Sequence, residues 1–325
     1  VRIHIATPER KGAKRGNRIG AERWGRLLGE LGHRVTIGLG EPKGEADVLI
    51  ALHARRSAAV VRAFSKEQPG RPIVVVLTGT DLYGDLPAGN EQAWDTIRAA
   101  DRLVVLQTHA LEVLPEGAAA KARVILQSAI APGDPPAPRK RTFDICVVGH
   151  LRRVKDPLRA AMASRRLPED SRIAVLQAGA ALESRLAERA AAESERNPRY
   201  RWLGEVPHRR AKRLIQRSRA LVVSSRAEGG AHVVSEALVA GTPVLASRMS
   251  GNIGMLGDDY PALFPVGDTD ALADLMHRFE ADAQFRGRLE LWCRLLSLAY
   301  APERERFALR ALLDEVVPHP SVHAR

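Results

Sequence analysis

The stretch from Ala220 to Gly254, ALVVSSRAEGGAHVVSEALVAGTPVLASRMSGNIG, decides the fold. It opens on an apolar run of the kind that is buried, Leu221 to Val223, followed by the small polar Ser224 and Ser225. Glu228, Gly229 and Gly230 come next, then an apolar pattern of helical period from Val233 to Ala240. Gly241 stops that helix, and Pro243 opens a second short apolar run that ends at Ser247. Strand, glycine turn, helix and strand make a βαβ unit, whose ligands sit beyond the carboxyl ends of the strands. Glu228 falls in the turn and Glu236 about one turn into the helix. Most carboxylates are solvated surface groups. Here, however, glycines at a helix start let a phosphate or sugar approach backbone N–H groups, and a carboxylate suits a ribose diol.

The same alternation runs outward in both directions. Arg2–Ala6 reads as a first strand, followed by TPERKGAKRGNR, which holds Arg10, Lys11, Lys14, Arg15 and Arg18 around Gly12 and Gly16. Asn17 is placed to cap a helix reaching about Leu31, with Trp24, Leu27, Leu28 and Leu31 on its apolar stripe. HRVTIGL, ADVLIAL, PIVVVL, DRLVVL and RVIL read as further strands, with helices over 57–68 and near 91–100 between them. His53 and the run Thr78, Gly79, Thr80, Asp81 follow two of these strands. APGDPPAPRKR, residues 131–141, is rich in proline and charge and is the best linker in the chain. After it FDICVV, RIAVLQ and YRWLG alternate with helices. The expected organisation is a Rossmann-like domain over 1–130, a linker over 131–141, a second Rossmann-like domain over 142–300 and a terminal helix over 301–325.

Composition narrows the class. A chain of 325 residues with 45% hydrophobic content suits two domains of ordinary size. No apolar run approaches the ~20 residues needed to cross a bilayer, so no integral membrane segment is expected. VRIHIATPE is a strand-like start and not a basic-then-apolar secretion signal. Cys146 and Cys293 stand alone without metal-ligand spacing, which points to packing in a reducing, cytoplasmic setting. A net charge of +12 raises nucleic acid as a partner, but aromatics are only 4% and no basic stretch is interleaved with stacking residues. Much of the arginine lies on alternating-charge helices such as LESRLAERAAAESER, ordinary solvated faces. A basic cleft for anionic substrates accounts better for the local clusters, and no nucleic-acid partner is expected.

EGGAHVVSEALVAGTPVLAS resembles the paired-glutamate motif of retaining, nucleotide-sugar-dependent glycosyltransferases of the family 4 type. That resemblance implies the GT-B fold, an α/β architecture of two Rossmann-like parallel-sheet domains facing a cleft. In this fold the terminal helix often crosses back to the first domain, and 301–325 is the candidate for it. The resemblance assigns the ribose hydroxyls to Glu236 and the neighbourhood of the donor sugar to Glu228, while Gly229 and Gly230 at the helix start leave backbone N–H groups open to the donor. VGHLRRVKDPLRA resembles the family's diphosphate-binding turn, with Lys155 on the lysine position. His150 replaces the arginine usually found after the glycine, so Arg152 or Arg153 must supply that charge. WLGEV sits where the family packs the base, which points to Gly204 and Val206, while SGNIGMLG offers further backbone donors to phosphate. In the first domain the basic loop follows a strand and precedes a helix, where small anions bind readily, which makes Gly16, Asn17 and Arg18 acceptor candidates, while Thr80 and Asp81 fall at a strand end where family members place acceptor-site and sugar-contacting groups. The family's frequent histidine before GTD is Thr78 here, leaving His53 as the polar partner. Lys155, Glu228 and His53 are therefore the candidate catalytic residues.

GNR followed by AERWGRLL, then LIALHARRS, VVLTGTDLY, VGHLRRVKDP, EGGAHVVSEA and SGNIGMLGDDYPALFPVGD resemble one subgroup throughout. That subgroup is the selenosugar synthase of bacterial selenoneine biosynthesis, which joins selenophosphate to the sugar of a UDP-sugar. The resemblance implies UDP-N-acetylglucosamine or UDP-glucose as co-substrate, no resident cofactor or catalytic metal, and pathway enzymes of selenoneine synthesis as partners. Two other readings stand beside it: a conventional GT-B enzyme with a sugar or lipid hydroxyl as acceptor, and, more remotely, a nucleic-acid-binding module.

Overall fold

The computed structural model describes residues 1–13, 16–134, 139 and 141–317. Lys14 and Arg15 of the basic loop, residues 135–138 and Lys140 of the linker, and residues 318–325 lie outside the described residues.

The first strand series is β1 (Arg2–Ala6), β2 (Arg34–Gly38), β3 (Val48–Leu52), β4 (Ile73–Val76), β5 (Arg102–Val105) and β6 (Ala122–Val124), in the sheet order β2-β1-β3-β4-β5-β6. Its helices are α1 (Gly16–Glu30), α2 (Ala58–Glu67), α3 (Glu91–Ala99) and α4 (Glu116–Ala120). The second series is β7 (Phe143–Val148), β8 (Ile173–Ala178), β9 (Tyr200–Trp202), β10 (Ala220–Val223), β11 (Val244–Ser247) and β12 (Leu263–Phe264), in the order β12-β11-β10-β7-β8-β9. With it come α5 (Arg159–Ser164), α6 (Ser184–Arg196), α7 (His208–Arg217), α8 (His232–Val239), α9 (Ser250–Leu256), α10 (Thr269–Ala281), α11 (Ala283–Ser297) and α12 (Pro302–Val316). Every strand pairing is parallel. Parallel strands with helical crossovers bury both faces, which is why β3 and β4 are apolar throughout and buried along their whole length.

The expected alternation of strands and helices is present, with local differences. Helix α1 begins at Gly16, so Asn17 lies inside its first turn and does not cap it. Strand β12 was not expected, because two residues carry no periodicity. The glycine-bearing run after β11 folds as α9, where the Asn252 amide donates to Ser247 O at 2.9 Å.

The chain divides into two compact units. Unit 1 comprises Val1–Gln127, Glu228–Gly230 and the chain from Pro302 onward; unit 2 comprises Ser128–Ala227 and Ala231–Ala301. In each sheet the strand order reverses direction at one point, between β1 and β3 in unit 1 and between β7 and β10 in unit 2. Loops leaving such a point on opposite sides of the sheet open a crevice at the strand ends. The basic loop and His53 follow the first pair, and the turn carrying Lys155 and the Glu228 segment follow the second.

Helix α12 is part of the unit 1 core: Leu309, Leu312 and Leu313 are buried in one cluster with Ile3 and Ile5 of β1 and Trp24, Leu27 and Leu28 of α1. A buried carboxylate fixes its register. Glu305 Oε1 accepts from Trp24 Nε1 at 2.7 Å, and Oε2 pairs with Arg23 Nε at 3.0 Å. Cys146 and Cys293 are buried and unpaired, and burial pushes both thiols up to about 12, so they are inert packing groups. Among the described residues no helix is long and apolar enough to cross a membrane.

Removing one partner of a buried ion pair leaves the other charge uncompensated, at a cost of about 3–5 kcal/mol. Glu305→Ala is therefore expected to lower the stability of unit 1 by that order, read as a shift in its chemical denaturation midpoint. A variant as stable as the parent would show that α12 is not seated through this carboxylate.

Candidate functional site

Within unit 1, the ends of β3, β4 and β5 carry a group of small and polar residues. His53 follows β3 directly, is buried, and has a backbone φ of +73°. That left-handed conformation costs a non-glycine residue about 1–3 kcal/mol and persists where the surroundings hold it in place. His53 N–H bonds to Val76 O of the neighbouring strand at 2.9 Å, and Ser57, whose N–H bonds to His53 O, donates its hydroxyl to Leu52 O. The imidazole Nδ1 stands 2.7 Å from Asp81 Oδ1. Asp81 is fully buried, and its Oδ2 accepts from the Thr78 N–H and Oγ at 2.8 and 2.9 Å. Asp81 is thus enclosed by protein with Oδ1 against the His53 ring, whereas Thr80 beside it is exposed. Asp81 also opens a short π-helical turn, Asp81–Asp85, a feature not anticipated from sequence.

The glutamate–glycine segment Glu228–Gly230 groups with these strand ends and not with the helix it precedes. A Cβ placed on Gly79 would meet Gly229 N at 2.6 Å, and one on Gly230 would meet Leu106 Cβ at 2.6 Å. Gly229 is hemmed in by the backbone of Thr78 and Gly79 in the same way. Two main chains touch here, which only residues without side chains permit. The paired glutamates of the motif are therefore separated: Glu228, partly exposed, belongs with Thr78–Gly79, and Glu236 belongs to unit 2.

At the start of α1, Gly16 is exposed, Asn17 half-buried and Arg18 buried. The Arg18 Nε donates to Glu22 Oε1, one turn on in the same helix, at 2.7 Å. Arg10 and Lys11 of the preceding loop are exposed.

In unit 2, the turn after β7 carries Arg152, Arg153 and Lys155. Its last three residues, Arg153–Lys155, form a 3-10 turn that Asp156 closes in the left-handed conformation, φ +43°. Ser224, at the end of β10, donates its hydroxyl to Asp156 O at 2.9 Å and Lys155 O at 3.2 Å. Arg226 N–H bonds to Val154 O at 2.8 Å, and Asp156 Oδ2 pairs with Arg159 Nη2 at 2.9 Å and Arg226 Nη2 at 3.5 Å. The turn that presents Lys155 is thus tied to the neighbouring strand through its backbone. Arg152 is exposed, while Arg153 pairs with Glu183 at 3.1 Å. Arg226 was missed by the sequence reading, having no periodicity to mark it; only the β7–β10 pairing brings it to this turn.

Glu236 lies on α8 with its side chain 7% exposed, and Oε1 stands 3.2 Å from His208 Nε2 and 3.6 Å from His232 Nδ1. His208 is the first residue of α7 and follows the loop of Gly204 and Val206, so the expected base-packing loop and the expected ribose carboxylate come together. The spacing of His232 and Glu236, four apart on a helix, was a readable signal, whereas nothing local pointed to His208. Burial, and then the nearby Lys212, hold the His208 imidazole below its usual titration range. Gly204 has φ +66°, and its carbonyl accepts from Gly179 N–H at 2.8 Å.

Two Rossmann-like units of this kind make up the GT-B fold, and comparison with solved structures shows the same class. HepE from Anabaena, in complex with UDP and glucose, superposes with a TM-score of 0.76 at 15% identity, over 97% of this chain and 99% of that one. Sucrose-phosphate synthase from Thermosynechococcus elongatus gives 0.77 at 17% identity, over 97% and 98%. A glycosyltransferase from Rickettsia africae ESF-5 gives 0.76 at 11% identity, over 98% of each chain. At the sequence level, residues 134–290, just under half of the chain, match the family model described as glycosyl transferases group 1. No curated relative matches.

Gly229→Ala would drive a methyl group into the Thr78–Gly79 backbone, and overpacking of this kind costs about 1–3 kcal/mol. The expected result is a lower denaturation midpoint and loss of whatever activity depends on Glu228. Unchanged stability would mean that Glu228–Gly230 is not seated on the end of β4.

Proposed function

We propose that this protein is a selenosugar synthase: a glycosyltransferase that moves the sugar of UDP-N-acetylglucosamine or UDP-glucose onto the selenium of selenophosphate. The observation that carries the glycosyltransferase part is Glu236, a largely buried carboxylate beside the Gly204–Val206 loop, in the same unit as the anchored Lys155 turn. The match to glycosyl transferases group 1 and the structural likeness to proteins solved with UDP support the same reading. The selenium part rests on the motif resemblance along the whole chain, together with the basic loop before α1.

In this reading Glu236 holds the ribose hydroxyls, Gly204 and Val206 flank the base, and backbone groups of Gly229 and Gly230 lie near the donor. Lys155, with Arg152 or Arg153, meets the diphosphate as it gains charge. Fixed cations there stabilise the transition state more than the ground state, so no metal is needed on the diphosphate. Gly16, Asn17 and Arg18 orient the acceptor with Thr80, Glu228 lies beside the sugar, and His53 is the polar group on the acceptor side, positioned by Asp81. A selenium lone pair attacks the anomeric carbon; the carbon–oxygen bond to UDP breaks and UDP leaves with its electron pair. Water then cleaves the selenium–phosphorus bond, releasing phosphate and the 1-selenosugar. Selenophosphate is already anionic at neutral pH, so the step makes little demand for a strong base. A reducing cytoplasm suits both the product and the two buried thiols.

The test incubates the protein with each UDP-sugar and freshly made selenophosphate, or with plain sugar hydroxyl acceptors, and identifies products by mass spectrometry. A selenium-bearing sugar and free UDP are expected. Efficient transfer to a hydroxyl without selenosugar would leave a conventional GT-B transferase; binding of unrelated DNA without turnover of any UDP-sugar would favour the nucleic-acid reading.

Glu236→Ala should weaken UDP binding by about 1.5–3 kcal/mol, the worth of hydrogen bonds to a charged group, as measured by calorimetric titration. Unchanged affinity in the folded variant would remove Glu236 from the ribose.

A further inference from the structure

We propose that His53, Asp81 and Asp85 form a binding site for one divalent transition-metal ion of the Zn2+ or Mn2+ type, wholly within unit 1. Each of the three offers one ligand atom, and these atoms lie within 4.8 Å of one another. The two aspartates are prepared in the same way. Asp81 spends Oδ2 on the Thr78 N–H and hydroxyl, and Asp85 receives Arg55 Nε on Oδ1 at 2.9 Å. The other oxygen of each, Asp81 Oδ1 and Asp85 Oδ2, is buried and accepts no hydrogen bond among the described residues. Donors behind the ligand oxygens are what orient carboxylates around a metal.

The second observation is His53 itself. Its side chain is 3% exposed, and neither Nδ1 nor Nε2 makes a hydrogen bond. Nδ1 approaches Asp81 Oδ1 to 2.7 Å, yet a hydrogen on that ring nitrogen would not point at the oxygen. A buried nitrogen and carboxylate oxygen this close, with no hydrogen bond between them, leave a place that a cation, a proton or a metal ion, would satisfy. Two buried carboxylate oxygens strengthen that demand, and Arg55, on the outer oxygen of Asp85, meets only part of it. One imidazole nitrogen and two carboxylate oxygens form a donor set that suits a borderline ion such as Zn2+, with a remaining position for water or another ligand. The rival occupant is a proton, an imidazolium pairing with both aspartates. This inference does not rest on sugar transfer and stands or falls apart from it.

The full-length protein, stripped with chelator and then exposed to Zn2+, Mn2+ or Co2+ followed by gel filtration, is assayed for bound metal by mass spectrometry. About one ion per chain is expected for the parent protein, with visible d–d absorption in the Co2+ form and a rise in Tm on adding Zn2+. Asp85→Asn and His53→Gln are each expected to weaken binding at least 10-fold, while the exposed His277→Gln leaves it unchanged. Either site variant that is folded by circular dichroism is enough for the comparison. A parent protein that retains no stoichiometric ion overturns the proposal and leaves the proton as occupant. Equal binding by a folded Asp85→Asn or His53→Gln variant overturns it also.

Discussion

At the end of β4 two stretches of backbone touch, and the candidate residues of unit 1 are set by that contact. Gly79 and Gly229 stand so close that neither position has room for a Cβ, and Gly230 lies equally close to Leu106 at the end of β5. This closeness lets a segment from the middle of the second strand series belong to unit 1. Glu228 is thereby set by the ends of β4 and β5, in the unit that also holds His53 and Asp81, and the glutamate that follows it in the motif stays in unit 2.

The buried charges show how these scaffolds are built. Asp81 is held by Thr78, Glu305 by Arg23 and Trp24, Asp156 by Arg159, and Glu236 stands beside two histidines. Buried pairs of this kind contribute little net stability, because desolvation offsets most of the Coulomb attraction. Their effect is positional. Asp156 and Ser224 hold the backbone that presents Lys155, and Glu305 sets α12 against α1 where leucines already pack. In each case an apolar contact supplies the stability and a polar contact selects one geometry from several of similar energy.

Parallel-sheet topology explains why the candidate residues lie where they do. In both sheets the strand order reverses once, and the loops after the strands at that point carry the basic loop, His53, the Lys155 turn and the Glu228 segment. The two-residue strand β12 and the π-helical turn Asp81–Asp85 are small additions to this plan, and the second of them carries both aspartates that lie close to His53.

Much of the plan was legible in the chain itself. Apolar runs such as Ile73–Val76 and Leu221–Val223, the glycine stops and the proline-rich stretch are local signals, set by neighbours two to four residues apart, and they mark strands, helices and a junction without reference to the fold. The motif around Glu228 and Glu236 and the turn around Lys155 were readable for the same reason. The partners of those residues were not. Arg226 reaches the Lys155 turn because β10 pairs with β7, His208 reaches Glu236 because α7 ends its loop there, and Asp85 joins His53 because β3 and β4 are neighbours. Nor does anything local tell that Gly229 must be bare to admit Gly79, or that Arg18 bonds to Glu22. The sequence by itself determined the elements and the residues able to do chemistry, because helix and strand periods are short-range properties. Which of those residues share a site was decided only by tertiary structure, because strand order and crossovers bring together groups that no local rule relates.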